Sequence, residues 1–391
     1  MSLNDVVKAQ RLHIALFGKR NAGKSSLINA LSGQPIALVS DIKGTTTDPV
    51  EKTMELLPLG PVVLIDTPGF DDEGELGEKR VQRAMQVVGK TDIALLVTDG
   101  TTLADEERAF LEKLSQKKVP TLVVFNKADT LDEIPTAKEN EIFVSTLTGF
   151  GIEALKEKLG ALAPEKKEKF LVADLLQKGD TVILVTPIDA AAPKGRIILP
   201  QQQTLRELLD AGCSAVVCQP EQLRDTLDNL KTPPKLVITD SQVFGKVASI
   251  LPPEQQLTSF SILFARYKGE LDTLVQGAGA LGALKDGDKV LISEGCTHHR
   301  QCGDIGTQKL PRWIQDFSGA QVQFAFTSGG DYPENVGEYK LVVHCGGCML
   351  TETQMKHRQE IAKAAGVPMV NYGVAIAHMK GILSRSLQPF E

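Results

Sequence analysis

The residues from Gly18 to Ser25 have the types and spacing of a phosphate-binding loop. They match G-x-x-x-x-G-K-[ST] and lie between the apolar run LHIALF and the helix-like SSLINALSG. In such a loop, backbone N–H groups surround the phosphates, the lysine contacts β- and γ-phosphate oxygens, and the hydroxyl binds Mg²⁺. We therefore predict a nucleotide site with Lys24 on the phosphates and Ser25 on Mg²⁺. The predicted contacts of the loop are Gly18, Lys19, Arg20, Asn21, Ala22, Gly23, Lys24, Ser25 and Ser26.

Two further segments are predicted to respond to the γ-phosphate. Asp66-Thr-Pro-Gly69 follows the apolar run VVLI, so that its carboxylate can hold the Mg²⁺ shell and its glycine can sense the phosphate. The segment Gly44–Asp48 contains three consecutive threonines. We expect Thr46 to complete the Mg²⁺ coordination, with Thr45 beside the nucleotide. An ordinary surface turn is the alternative for this segment.

The base is predicted to be guanine. Asn126-Lys127-Ala-Asp129 follows the apolar run TLVVF. The Asp129 carboxylate can accept hydrogen bonds from guanine N1–H and from its exocyclic amine, a donor pair that adenine lacks. Ser145 and Thr146, after the run IFV, would contact the guanine carbonyl through the backbone. Together these segments predict that the chain binds GTP and GDP.

The segment after Gly69 bears on the rate of GTP hydrolysis. Phe70 stands where some GTPases have a glutamine that orients the attacking water. We therefore expect slow basal hydrolysis. An acidic residue of the segment 71–78, with Glu75 as the candidate, could orient water instead; solvated loop charges are the alternative interpretation.

Cysteines and histidines near the C-terminal end form a second chemical pattern. Cys296-Thr-His298 is followed by His344-Cys345-Gly-Gly-Cys348, and each half comes after an apolar run. Thiolates at neighbouring strand ends are soft ligands, and glycines beside them let the backbone approach a metal centre closely. We predict that Cys296, Cys345 and Cys348 bind a metal centre. Ligand chemistry alone leaves structural zinc and a 4Fe-4S cluster open.

The elements that must position these residues are short apolar strands alternating with helix-like segments. LHIALF, VVLID, IALLVTD, TLVVFN and IFVS predict a parallel sheet covered by helices on both faces, and similar alternation continues to the C-terminus. A charged segment at 163–170 and a proline pair near 252 indicate linkers. We predict an α/β protein of three domains: a P-loop GTPase domain at 1–165, a domain for subunit association at 171–255 and a metal-binding domain at 256–391.

Charge and composition exclude several functional classes. The net charge of −6 argues against a nucleic-acid partner, which normally requires a basic surface. No apolar run approaches the length of a membrane span, and the first eleven residues do not form a secretion signal. We therefore expect a cytoplasmic protein without a membrane partner.

Residues 11–163 resemble the bacterial GTPase group that includes the tRNA-modification GTPase and Era-like proteins. The resemblance rests on the phosphate loop, Asp66–Gly69 and Asn126–Asp129. In members with Asn-x-Gly-Lys-Ser, that asparagine binds K⁺, which neutralises charge in the transition state. The resemblance therefore implies K⁺ at Asn21 and potassium-stimulated hydrolysis. The predicted catalytic residues are Asn21, Lys24, Thr46 and Asp66.

The pairing of this GTPase segment with C-x-H…H-C-x-x-C resembles the HydF family of FeFe-hydrogenase maturation GTPases, over essentially the whole chain. The resemblance implies that Cys296, Cys345 and Cys348 hold a 4Fe-4S cluster with an exchangeable fourth position, for which His344 or His298 is a candidate ligand. It further implies a homodimer or larger assembly whose middle domain dimerises. It also implies a scaffold that receives a di-iron precursor of the H-cluster, made with two radical-SAM maturases, and delivers it to apo FeFe-hydrogenase.

Two competing functions stay open on the sequence. One is an RNA-linked GTPase with structural zinc, which the N-terminal resemblance favours and the acidic charge opposes. The other is a GTP-gated redox sensor, in which the cluster would be a signal rather than a docking site.

Overall fold

The structure is a computed structural model that describes residues 10–33, 49–69, 83–164, 169–188, 197–296, 304–333 and 335–391. The chain divides into two compact units, Met1–Lys167 and Glu168–Glu391. Several residues singled out from the sequence lie outside the described ranges, namely Thr45 and Thr46 with the rest of 44–48, Phe70, Glu75 and His298.

The first unit contains a six-stranded sheet in the order β2-β3-β1-β4-β5-β6. All neighbouring strands are parallel except β2 and β3. Strands β1 and β4 are buried at every position, because helices cover both faces of the sheet. The strands are β1 Leu12–Phe17, β2 Val50–Leu56, β3 Gly60–Asp66, β4 Ile93–Thr98, β5 Thr121–Phe125 and β6 Glu141–Phe143.

Three helices of this unit, α1 Lys24–Ser32, α2 Asp105–Gln116 and α3 Ile152–Leu162, pack on the sheet. Apolar residues of α1 and α3 join one core cluster, whereas those of α2 join the cluster on the opposite face. Within each helix the buried residues recur at spacings of three or four, which places them on one side of the helix. This doubly covered, mostly parallel sheet is the α/β fold predicted for the GTPase domain, and its antiparallel edge strand β2 was not predicted.

The second unit contains two four-stranded parallel sheets, ordered β10-β9-β7-β8 and β12-β11-β13-β14. The strands are β7 Thr181–Val185, β8 Ser214–Cys218, β9 Leu236–Thr239, β10 Leu257–Ser259, β11 Lys289–Glu294, β12 Gln323–Ser328, β13 Leu341–His344 and β14 Met369–Asn371. The helices are α4 Leu199–Asp210, α5 Leu223–Asp228, α6 Phe244–Ile250, α7 Phe260–Lys268, α8 Leu271–Gly277, α9 Leu310–Ser318, α10 Glu352–Ala364, α11 Tyr372–Met379 and α12 Leu383–Leu387. The protein is therefore an N-terminal P-loop GTPase domain followed by two further α/β regions.

The two sheets of the second unit share one apolar core. A single cluster of buried side chains includes Val237 from β9, Val290 from β11 and Val343 from β13. Strand β10, which opens the predicted segment 256–391, pairs with β9 of the middle sheet. The three-domain boundaries stay a prediction, and both sheets belong to one packed body.

None of the helices in the described ranges combines the length and the apolar character needed to cross a membrane.

Candidate functional site

The phosphate loop connects the carboxyl end of β1 to the first residue of α1. Gly23 caps α1 with φ of 93°, and Gly18 has φ of 147°, both in the region that favours glycine. A Cβ on Gly18 would stand 2.0 Å from the carbonyl oxygen of Val97, and one on Gly23 would stand 2.1 Å from Nδ2 of Asn126. The loop therefore takes this path only with glycine at both positions.

Lys24 lies inside the curve of this loop. Its side chain is buried, with 8% relative exposure, and Nζ donates hydrogen bonds to the carbonyl oxygens of Gly18 at 2.9 Å and Lys19 at 2.7 Å. These bonds hold the ammonium group next to the amides at the N-terminus of α1. Such an arrangement can bind phosphate oxygens, because the amides and the ammonium group contribute positive charge from two sides.

Ser25 and Asp66 meet beside Lys24. The Ser25 hydroxyl donates to Oδ2 of Asp66 at 2.5 Å, which joins the start of α1 to the end of β3. Burial raises the pKa of Asp66, while the Ser25 hydrogen bond and the charge of Lys24 act in the opposite direction. A hydroxyl and a carboxylate in contact are the groups that a P-loop NTPase uses to hold Mg²⁺.

Asn126 ties the base-recognition segment to the phosphate loop. Its Nδ2 donates to the carbonyl oxygen of Ala22 at 3.0 Å, and its Oδ1 accepts from the Thr146 N–H at 3.3 Å. The side chain therefore bridges three segments that are distant in sequence. It fixes their relative positions at the carboxyl edge of the sheet.

The Asp129 carboxylate is oriented by Ser145, whose hydroxyl donates a short hydrogen bond to Oδ1. Lys127 adopts φ of 61°, and its Nζ pairs with Asp99 at 2.9 Å. Sequence reasoning missed Asp99, although its position directly after the run IALLVT at a strand end was a usable signal.

The predicted nucleotide residues within the described ranges come together at the carboxyl ends of β1, β3, β5 and β6. They comprise the loop 18–26, Asp66, Gly69, Asn126, Lys127, Asp129, Ser145 and Thr146. In an open parallel sheet this edge is where ligands bind. The individual roles of these residues stay predictions.

The second site lies at the carboxyl ends of β11 and β13, which are parallel neighbours with Ser293 opposite His344. The register therefore places Cys296 and Cys345 on adjacent loops. The Gly295 N–H donates to Sγ of Cys345 at 3.1 Å, and the Gly347 N–H does so at 3.4 Å. Two backbone donors thus converge on one sulfur.

In the absence of a bound cation, the surroundings of the Cys345 and Cys348 thiols disfavour the thiolate form. Burial raises the pKa of Cys345 to about 11, against the lowering effect of the Gly295 and Gly347 N–H groups. Burial also raises the pKa of Cys348, and the charge of Lys268 lowers it. A metal centre would supply the positive charge that stabilises the thiolates.

Lys268, at the end of α7, was not singled out from the sequence. Its side chain is 3% exposed, and its Nζ donates to the carbonyl oxygens of Gly347 at 3.1 Å, Cys348 at 2.8 Å and Leu350 at 2.6 Å. Burial lowers the pKa of Lys268 to about 8, and the Cys348 and Cys345 thiols raise it. A lysine in the largely apolar helix FSILFARYK was the available signal.

His344 is fully buried, and both of its ring nitrogens make hydrogen bonds. Nε2 accepts from Nη1 of Arg358 at 2.9 Å, which assigns the proton to Nδ1 and makes Nδ1 the donor to the Cys345 carbonyl at 2.8 Å. Burial, followed by the charge of Arg358, lowers the pKa of His344 to about 3. In this arrangement His344 orients the Cys345 backbone. The identity of the fourth ligand, His344 or His298, stays a prediction.

Within the described part of the chain, no group of three or more His, Cys, Asp or Glu side chains is arranged to hold a metal ion. The chemistry of the site nevertheless fits a thiolate-held cluster. Cys345 accepts two N–H donors, and the buried cations Lys268 and Arg358 flank its loop. Hydrogen bonds to sulfur and nearby positive charge are the surroundings that stabilise an anionic iron-sulfur cluster.

Three family models match the chain. The hydrogen maturase F dimerization domain matches residues 171–269, and the hydrogen maturase F tetramerization domain matches residues 272–389. The model described as a 50S ribosome-binding GTPase matches residues 13–127. The two maturase models together cover more than half of the chain, and the third covers most of the nucleotide site.

Curated relatives are similar to about two fifths of the chain. The tRNA modification GTPase MnmE of Bordetella petrii is 36% identical over 159 residues, which are 40% of this chain and 35% of that protein. The GTPase Der of Kosmotoga olearia is 34% identical over 172 residues, 39% of each chain. The chain thus spans well under half the length of these relatives. The solved structure of Aquifex aeolicus Era bound to GDP and aluminium fluoride aligns with a TM-score of 0.35 at 18% identity, over 53% of this chain and 92% of that chain.

Proposed function

Because the chain belongs to the hydrogen maturase F family, we propose that it is a GTP-hydrolysing scaffold for the di-iron precursor of the hydrogenase H-cluster. The family assignment rests on the matches to the dimerization and tetramerization domains, which are adjacent and follow the GTPase domain in the sequence. The chain is accordingly a hydrogenase maturase GTPase with domains for self-association. The proposed steps beyond that are cluster binding, loading of the precursor and its transfer to apo FeFe-hydrogenase in the cytoplasm.

The observation that carries the proposal is the convergence of donors on the Cys345–Cys348 loop. Cys296, Cys345 and Cys348 would hold the 4Fe-4S cluster at the ends of β11 and β13. The bound cluster supplies an iron without a cysteine ligand, which is a labile position where a di-iron unit can dock. A fourth fixed cysteine would remove that position. The protein groups bind and orient the ligands, because backbone amides donate to the Cys345 sulfur and buried cations hold the thiolate loop.

The partners follow from the family. The two radical-SAM maturases would supply the di-iron unit, and apo-hydrogenase would receive it. The GTPase domain would act as the switch, because a γ-phosphate orders the segments around Thr46 and Gly69 and so changes the surface that a partner meets. Ser25 and Asp66 would hold Mg²⁺ in that state, as their hydrogen bond at 2.5 Å supports.

Potassium is expected to stimulate GTP hydrolysis through Asn21. Asn21 has φ of 58°, so glycine can replace it without backbone strain while removing the side-chain oxygen. We expect hydrolysis to fall at least about tenfold when Na⁺ replaces K⁺, because a monovalent cation would serve in place of an arginine finger. Asn21→Gly should hydrolyse GTP at the lower rate in both salts. Equal wild-type rates in K⁺ and Na⁺, with GTP binding unchanged, would show that no such cation acts here.

The proposed function is tested by anaerobic purification, metal and sulfide analysis, and electron paramagnetic resonance after reduction with dithionite. We expect about four irons and four sulfides per chain and the signal of a reduced cluster. Stoichiometric zinc without sulfide would contradict the proposal. It would favour an RNA-linked GTPase, which the similarity of about two fifths of the chain to a tRNA modification GTPase supports as the second candidate.

A further inference from the structure

Lys268 directs all of its hydrogen-bonding capacity at the Cys345–Cys348 loop and its continuation. An ammonium group has three N–H donors, and the Lys268 group uses them on three carbonyl oxygens, those of Gly347, Cys348 and Leu350. The side chain comes from α7, about 80 residues away in sequence, and is 3% exposed. Such burial of a lysine is costly unless its charge is compensated.

The geometry of the peptide unit gives these bonds a second effect. In a planar trans peptide, the carbonyl and the following N–H point in opposite directions. Because the carbonyls of Gly347 and Cys348 face Lys268, the N–H groups of Cys348 and Met349 face away from it. These two N–H groups interact with the Cys348 thiol and lower its pKa. The loop thus presents its carbonyls to the cation and its amide donors to sulfur.

The neighbouring thiol also accepts a hydrogen bond from this loop, although the donor is in the peptide unit of the Gly346 carbonyl, which is not among the three carbonyls that Lys268 contacts. The Gly347 N–H, on the same loop, points at Sγ of Cys345 at 3.4 Å. A hydrogen bond to the carbonyl side of a peptide polarises that unit and strengthens the donor on its other side. The ammonium of Lys268 therefore acts on the Cys348 sulfur both through its charge and through the amides that it orients.

We propose that Lys268 is a positioning residue for the iron-sulfur cluster, which it serves by holding the Cys345–Cys348 loop with its amide donors toward the thiolates and by balancing their negative charge. The inference rests on the proposed function, because it assumes that this loop binds a cluster. It assigns a role to a residue outside the cysteine and histidine motif.

Lys268→Met keeps most of the length of the side chain and removes both the charge and the three donors. In the apo protein we expect faster hydrogen exchange of the backbone amides of residues 345–350, measured by mass spectrometry, because the loop loses its anchor. In the reconstituted protein we expect cluster affinity against a chelator to fall roughly 10- to 100-fold, the usual effect of removing a group that supports metal ligands. The midpoint potential of the cluster should become more negative, because positive charge favours the reduced, more anionic form.

Lys289→Met is the matched control, because Lys289 lies on β11 and pairs with Glu338 at the surface with a side chain 49% exposed. It should retain wild-type values in every measurement. Lys268→Arg should keep a potential close to that of the wild type, since the charge is retained. Circular dichroism shows whether each variant folds. If Lys268→Met does not fold, Lys268→Gln is measured in its place. Glutamine retains an amide donor without the charge, so this variant must still have a more negative midpoint potential than the wild type.

The outcomes separate the inference from the proposed function. Wild-type hydrogen exchange, cluster retention and midpoint potential in a folded Lys268→Met or Lys268→Gln variant would overturn the role of Lys268 and leave the scaffold function intact. A wild-type protein that binds no cluster would overturn both. Hydrogen exchange of residues 345–350 in the apo protein would then still report whether Lys268 holds the loop.

Discussion

Replacing Cys345 by serine is expected to abolish both cluster binding and hydrogenase activation while leaving GTP hydrolysis within about twofold of the wild-type rate. Serine oxygen is a hard ligand that stays protonated at neutral pH, whereas iron in such clusters is held by thiolates. The Gly295 and Gly347 N–H groups are moreover aimed at the position of the Cys345 sulfur. The nucleotide residues lie in the other compact unit, so their chemistry does not depend on this side chain.

The measurement compares iron and sulfide per chain, hydrogenase activation in a reconstituted maturation assay, and phosphate release from GTP. Cys213→Ser is the matched control: Cys213 is buried in the same unit, where its Sγ donates to the Gln177 carbonyl at 3.3 Å, and it belongs to neither half of the motif. That variant should keep its cluster. Normal activation by a folded Cys345→Ser protein would contradict the scaffold function.

Replacing Asp129 by asparagine is expected to change the base that the GTPase domain accepts. The carboxylate would accept hydrogen bonds from guanine N1–H and its exocyclic amine, whereas an amide offers one acceptor and one donor and so matches xanthine. Hydrogen bonds to a charged group contribute about 1.5–3 kcal/mol each, so GTP affinity should fall at least about 100-fold. Ser145 can still donate to the amide oxygen of the variant, as it does to Oδ1 of Asp129, so the loop should be retained.

Direct titration of each protein with GTP and with xanthosine triphosphate, followed by calorimetry, measures the change. Asp132→Asn is a suitable control, because Asp132 is an exposed carboxylate three residues further along the same loop. It should leave both affinities unchanged. If Asp129→Asn bound GTP as the wild type does, Asp129 would not read the base, and the assignment of guanine would lose its main support.

Much of the fold and of the nucleotide site could be predicted from local patterns in the sequence. A phosphate loop is one continuous segment, and its glycines and lysine work through the backbone conformation of that same segment, as the φ values of Gly18 and Gly23 illustrate. The apolar runs were long and β-branched enough to predict strands, because strands of a covered parallel sheet are buried on both faces. The presence of the GTPase segment and the cysteine motif in one chain could also be recognised from the sequence. This combination indicated the family that the domain matches support.

Other features were decided only by the tertiary structure. Asn126 contacts Ala22 across 104 residues of sequence, and Lys268 contacts Cys348 across 80. The apolar core that the two sheets of the second unit share could not be predicted from the sequence of any one segment either. The physical reason is that a parallel sheet brings together the carboxyl ends of strands that are far apart in the chain, and strand order is set by packing of whole faces. The candidate site residues could therefore be identified from the sequence, whereas the tertiary structure determined which buried cations and amides surround them.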